Sequence, residues 1–142
     1  MKDRLNWLTE QIIGAAINVH IAVGPGLLES AYQSCLQFEL LAMGLRFERQ
    51  KPLSLAYRGT TLAGAYRMDF LVEDHVVVEV KSVEKLDRLH EAQMLTYLRL
   101  SNCKVGLLTN FNVKWMARDG TKRMVNGFPD SEGDTPRKVE SK

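Results

Sequence analysis

Several things that define other protein classes are scarce in this chain of 142 residues. There are only two cysteines, Cys35 and Cys103, too few for a disulfide framework or a cysteine-built zinc site. Two isolated thiols read as small buried side chains in a reducing compartment. His20, His75 and His90 are scattered and give no zinc-ligand spacing. No apolar run is long enough to cross a bilayer, and the first residues lack the charged, apolar and small-residue succession of a signal peptide. The expectation is a soluble cytoplasmic protein without a membrane partner. An excess of charge of one sign is also missing. Nineteen Lys and Arg against 17 Asp and Glu leave a formal net charge of +2, which permits contact with nucleic acid without demanding it.

What is present is ordinary for a globular domain: 45% hydrophobic and 25% charged residues, in a length that suits one domain with its own core. From Pro129 onward, "PDSEGDTPRKVESK" has Val139 as its only apolar residue. It reads as a disordered tail behind a single domain spanning 1–128.

Periodicity divides that domain. In "LTEQIIGAAINVHIA" Thr9 caps a helix whose apolar positions are Ile12, Ile13, Ala16 and Ile17, and the helix should stop at "VGPG", residues 23–26. "GLLESAYQSCLQFELLAMG" predicts a second helix with an apolar stripe of Leu28, Tyr32, Cys35, Leu36, Leu40 and Met43, closed by Gly44. After Gly44 the period shifts toward 2. "LRFERQ" and "LSLAYRG" predict two short strands separated by Pro52, with a turn at Arg58-Gly59. A strand ending at Val72 and another from Val76 to Lys81 follow. "LDRLHEAQMLTYLRL" is helical, "KVGLLTNF" reads as a buried strand, and Asp119-Gly120 signals a hairpin between "KWMAR" and "TKRMV". The order predicts an α/β sandwich on a mixed sheet, an antiparallel meander extended by a strand that returns across a helix.

One hairpin, "YRMDFLVEDHVVVEVKSV" at 66–83, carries charge where a core strand should not. Alternation puts Glu79 and Lys81 on the face of Val77, with Val76, Val78 and Val80 on the other. Asp69 shares a face with Arg67 and Leu71. A three-residue loop, Glu73-Asp74-His75, would pair Val72 with Val76 and set Asp69 opposite Glu79; a two-residue loop would turn the acids apart. Facing each other, their Cβ atoms would lie about 4.5–5.5 Å apart. Two like charges at such range repel by roughly 4 kcal/mol at an effective dielectric of 20. Lys81 offsets part of that, and a divalent ion such as Mg²⁺ or Mn²⁺, which prefers carboxylate and carbonyl oxygen, could offset the rest. The same charges also suit a solvated strand face.

The D-x(9)-E-V-K pattern of Asp69, Glu79 and Lys81 resembles the active-site hairpin of the PD-(D/E)XK nuclease superfamily. "VGPGLLESAY" adds Gly26, Glu29 and Tyr32 as G-x-x-E-x-x-Y. "QMLTYLRL" adds Gln93 and Tyr97 as Q-x-x-x-Y, and "GLLTNFN" follows at 106–112. In this order they are similar to the GxxExxY family within that superfamily. Met68 stands before Asp69 where the superfamily's name has proline. The resemblance implies a restriction-endonuclease-like fold and a Mg²⁺-dependent nuclease, Mn²⁺ being a substitute, with DNA or RNA as its partner. It implies metal ligation by Asp69, Glu79, the Val80 carbonyl and Glu29, and a water-orienting role for Lys81. Gln93, Tyr97 and Tyr32 would line the substrate. Each has a plainer reading too: Glu29 as an acid in a helix's first turn, Tyr32 as core, Gln93 and Tyr97 as packing. Arg46, Arg49, Lys51, Arg58, Arg67, Lys85 and Arg88 suit either a phosphate-contacting rim or a solvated surface. With no second domain to read bases, little sequence specificity is expected. A non-catalytic module that binds nucleic acid or protein on the same fold is the alternative, and hydrolysis of a smaller phosphodiester a third. Oligomeric state, homodimer or larger complex, is left open.

Overall fold

A computed structural model describes residues 1–127; the expected tail at 129–142 lies outside the described residues. The elements run α1 (Lys2–Val23), α2 (Glu29–Ala42), β1 (Phe47–Tyr57), β2 (Thr60–Val72), β3 (Val76–Lys81), α3 (Arg88–Ser101), β4 (Val105–Asn110), α4 (Met116–Asp119) and β5 (Thr121–Val125). The five strands form one sheet in the order β1-β2-β3-β4-β5. β1, β2 and β3 are an antiparallel meander, β4 lies parallel to β3 after crossing through α3, and β5 returns antiparallel to β4. This is the mixed-sheet α/β architecture expected from the order of elements. Among the described residues, no helix is long and apolar enough to cross a membrane.

Helices cover the sheet on both sides, which explains why β4 is buried at every residue. On one side α1 and α2 pack Leu8, Ile12, Ala16, Leu36 and Leu40 against Phe70, Val72, Val76, Val78, Val80 and Leu107. On the other, Met94 and Leu98 of α3 pack against Met68, Leu71, Val77 and Leu108. The second contact is close: a Cβ on Gly106 of β4 would collide with the Met94 sulfur.

The helix and strand boundaries differ from the sequence reading in four places. α1 begins at Lys2, well before Thr9, because Leu5 and Leu8 continue the buried stripe. Thr9 is inside the helix, and its hydroxyl donates to the Asn6 carbonyl at 3.0 Å. Leu28 and Met43 are exposed, since α2 spans only Glu29–Ala42. The helix does end as expected. Gly44, at φ 75°, donates to the Leu41 carbonyl and Leu45 to that of Leu40, which caps the last turn. β1 runs unbroken through Pro52, because it lies at the sheet edge, where a residue without N–H is tolerated. Finally, "KWMAR" is no strand: Met116–Asp119 is a helical turn, and β5 pairs with β4 instead.

Candidate active site

The β2–β3 turn decides whether the acids meet. His75 N–H donates to the Val72 carbonyl at 3.0 Å, and Glu73 and Asp74 take φ of 51° and 59°. Val72 pairs with Val76, so the loop has three residues, the odd length the acids require. The regular ladder stops at Phe70–Val78. Beyond it each carboxylate takes a main-chain partner on the other strand. Asp69 N–H donates to Glu79 Oε2 at 2.8 Å, and Val80 N–H donates to Asp69 Oδ2 at 2.8 Å.

β2 also changes face here. Met68 and Leu71 both enter the core under α3, which strict alternation forbids, and the break in phase falls at Asp69. Arg67, expected on the face of Leu71, is exposed, and donates to the Gln50 carbonyl at 3.3 Å. Gln50 lies across from Asp69 on β1 in a positive-φ conformation, 56°, and its amide donates to Asp69 Oδ1 at 3.3 Å. The same amide reaches the buried Gln33 of α2 at 2.8 Å.

Burial disfavours the charged forms of both acids. Glu79 is 4% exposed. Burial, and then the charge of Asp69, push its carboxyl pKa up to about 8, against the opposing pull of the Asp69 N–H and the Lys81 ammonium. The carboxyl of Asp69 is also raised by burial, although Val80 N–H, Lys81 and Gln50 act against it. Lys81, half-buried at the end of β3, thus favours the charged form of both acids without cancelling the effect of burial. β4 holds this end of β3 from the far side. Thr109 Oγ1 donates to the Glu79 carbonyl at 2.8 Å, and Phe111 N–H to the Lys81 carbonyl at 2.9 Å. Asn110 then clamps the following loop through both main-chain groups of Val83, each at 3.0 Å.

Glu29, at the start of α2, does not join the acid pair in a cluster. Its Oε2 accepts from Ser82 N–H at 2.9 Å, while Ser82 Oγ donates to the Leu27 carbonyl at 3.1 Å. Its charge still reaches Asp69 and raises that carboxyl. Among the described residues, no three His, Cys, Asp or Glu side chains converge in a metal-holding group. The expected three-acid shell is therefore not preformed.

Tyr32 is a correction. It was expected to line the substrate, but it is fully buried, stacked on Phe111 with ring centroids 4.5 Å apart. Its hydroxyl donates to the Gly24 carbonyl and accepts from Leu27 N–H, so it fastens the α1–α2 loop and has no surface to offer a ligand. Tyr97 is different. It is half-buried on α3, edge-on to Tyr66 at 5.9 Å. Its hydroxyl pKa is pushed up to about 12, by burial first and then by the charges of Glu79 and Asp69. Gln93 precedes it by one turn on the same helix face, also half-buried.

Of the basic residues that suited either a phosphate-contacting rim or a solvated surface, several have partners within the fold. Arg46 is bound to Glu73 at the turn end of the hairpin, Lys51 to Glu48, and Arg49 to Gln33 and Gln37 of α2. Two of the three histidines serve structure: His20 Nε2 bonds the Val113 carbonyl at 2.7 Å, and His90 completes a capping box with Asp87. Gln50, Gln33, Thr109 and Asn110 position the site, and sequence reasoning did not select them. Only "LLTN" at the end of a buried strand hinted at two of them, being polar where β4 is otherwise apolar.

These donors fit a hard divalent cation. Mg²⁺ is commonly held by one or two carboxylates while keeping several waters, so a preformed three-acid shell is not required. Asp69 and Glu79 would supply the carboxylates. The Val80 carbonyl leaves β3 on the same edge as its N–H, which points at Asp69. A dication beside Glu79 would offset the burial and like charge that raise its pKa.

A family model described as the PD-(D/E)XK nuclease superfamily matches residues 6–124. No curated protein and no solved structure matches the chain.

Proposed function

Since the chain belongs to the PD-(D/E)XK nuclease superfamily, we propose that it is a metal-dependent phosphodiesterase that cleaves DNA or RNA with little sequence specificity. The observation that carries this reading is the exchange of carboxyl-to-main-chain bonds between Asp69 and Glu79, which gathers two covered carboxyl groups at the hairpin end that carries Lys81. The order of the Gly26-Glu29-Tyr32 and Gln93-Tyr97 motifs supports a place in the GxxExxY branch.

Asp69, Glu79 and the Val80 carbonyl would hold Mg²⁺, or Mn²⁺ in its place. When bound, the ion supplies Lewis acidity and a water of lowered pKa. Lys81 orients the attacking water and stabilises charge developing on the phosphate oxygens. Gln93 and Tyr97 line the substrate from α3. Glu29 is a positioning residue: through Ser82 it fixes the chain just beyond Lys81. Tyr32 has no substrate role.

The test is cleavage of a mixed panel of DNA and RNA, single-stranded, duplex and branched, with Mg²⁺ or Mn²⁺. Cleavage of at least one member, silenced by chelator and by Lys81→Ala, is expected. Binding without cleavage, indifferent to Asp69→Asn, would instead identify a non-catalytic module.

A further inference from the structure

The β1–β2 hairpin is far longer than the sheet needs. β3 pairs with β2 only through Phe70–Val72. The two long strands continue past Leu53–Tyr66, through Leu55–Leu62, to a two-residue turn at Arg58-Gly59, with φ of 50° and 78°. At about 3.3 Å per residue this free ribbon extends roughly 20 Å beyond the sheet. Every residue from 56 to 65 is exposed. Among the described residues nothing packs on this outer part, and a two-stranded ribbon so placed is marginal in water, so its length calls for a partner.

The charge says which kind. Residues 49–68 contain four basic side chains, Arg49, Lys51, Arg58 and Arg67, and none of the chain's 17 acids, although the whole chain has a net charge of only +2. Among the described residues, Arg49, Arg58 and Arg67 contact only neutral groups: amides, hydroxyls and carbonyls for Arg49, the Tyr57 ring at 5.5 Å for Arg58, and the Gln50 carbonyl for Arg67. Their charge remains available to a polyanion. The ribbon is also slim, with Ala56, Gly59, Thr60, Thr61, Ala63, Gly64 and Ala65 along its outer part. Its root is part of the site: Tyr66 packs on Tyr97, and Gln50 joins Arg67 to Asp69.

We infer that the β1–β2 ribbon is a duplex-DNA arm that lies in the major groove of the DNA flanking the cleavage point. A two-stranded β-ribbon fits that groove, whereas the major groove of duplex RNA is too narrow. A second copy of the arm, which has no acid between residues 49 and 68, would offer these arginines no counter-charge, whereas a polyanion does. The inference rests on the nuclease reading for the identity of the neighbouring site, but its test does not require hydrolysis.

The test measures binding of the full chain in chelator to a labelled 30-base-pair duplex DNA, a 30-nucleotide single strand and a 30-base-pair duplex RNA, across a salt series. It uses wild type, Arg58→Ala, and a variant in which Asn-Gly replaces Ala56–Thr61. The short-ribbon variant is expected to bind duplex DNA about tenfold or more weakly, with a shallower salt dependence, and the other two ligands almost unchanged. Arg58→Ala should flatten the salt slope by about one phosphate contact. The inference is overturned if wild type does not bind duplex DNA, if trimming leaves its affinity and slope intact, if all three ligands weaken equally, or if trimming dissociates a dimer in sedimentation. Ribbon-dependent binding without metal-dependent cleavage would support the arm and remove the hydrolytic reading. Cleavage without ribbon dependence would do the reverse.

Discussion

Glu73 and Glu79 sit near opposite ends of the β2–β3 hairpin, both largely covered, and the fold treats them in opposite ways. Glu73 closes the turn end. Its carboxylate accepts from Arg46 N–H at 2.7 Å, from the Arg46 guanidinium at 3.1 Å and from Arg4 at 3.2 Å. These bonds hold its pKa below the usual carboxylate value. Glu79 stands at the open end with one main-chain donor, a like-charged neighbour and a lysine that only partly compensates. The first acid is fully partnered within the chain. The second has its charged form disfavoured by burial and by Asp69, the kind of perturbation that functional sites concentrate.

Breaking that contrast on the catalytic side gives the largest effect. Lys81→Ala and Asp69→Asn should each lower metal-dependent cleavage by about 10²–10⁴, the range for loss of a positioned catalytic group. Glu73→Gln should leave cleavage within a few-fold. A next, smaller effect is in stability, with opposite signs at the two ends. In chelator at pH 9, Glu79→Gln should stabilise the fold by about 2 kcal/mol, because a neutral isostere removes a buried, poorly compensated charge. Glu73→Gln should destabilise it by about 1–2 kcal/mol by weakening a charge-assisted cap. Denaturant unfolding of the three proteins measures both.

The pH dependence follows the same signs. The folded-state pKa of Glu79, about 8, lies above its unfolded value of 4.5, so the native state binds the extra proton. Its contribution therefore favours folding at low pH and is lost as pH rises between about 4.5 and 8. Glu73, with a lowered pKa, contributes stability that is present above 4.5 and lost as pH falls through its folded value. In chelator, the wild type should lose stability relative to Glu79→Gln on going from pH 5 to pH 9, as read from paired urea titrations.

The smallest effects separate the two tyrosines. Tyr32→Phe should cost about 1 kcal/mol of stability, from a lost buried hydrogen bond, with an unchanged KM. Tyr97→Phe should leave stability nearly unchanged while lowering kcat/KM, by less than tenfold. If Tyr32→Phe raised KM with stability unaltered, its placement as a loop fastener would be wrong.

The sequence made the fold legible where burial is periodic. The buried Tyr32, Leu36 and Leu40 of α2 and the buried strand β4 follow from local pattern, and each is present, whereas the parity of the Glu73-Asp74-His75 loop, open in the sequence, is fixed by the Val72–Val76 pairing. It was misleading where a boundary depends on tertiary packing: α1 reaches back to Lys2 because Leu5 and Leu8 find a core, and "KWMAR" coils because Met116 anchors there. At the site, Asp69, Glu79 and Lys81 stood out because charge interrupts an apolar strand. Tyr32 could not be assigned by spacing, since one motif position suits core and substrate equally. Gln50 was invisible because its role depends on a positive φ and a change of face across from it on β2, which no side-chain pattern records.

The most direct measurement is a calorimetric titration of Mg²⁺ into wild type and Glu79→Gln at pH 7.5, in two buffers of different ionisation enthalpy. The account predicts that wild type binds the ion and releases protons as it does so, because Glu79 is largely protonated before binding, and that Glu79→Gln loses most of both signals. Absence of binding in wild type, or equal binding with equal proton release in the variant, would contradict it.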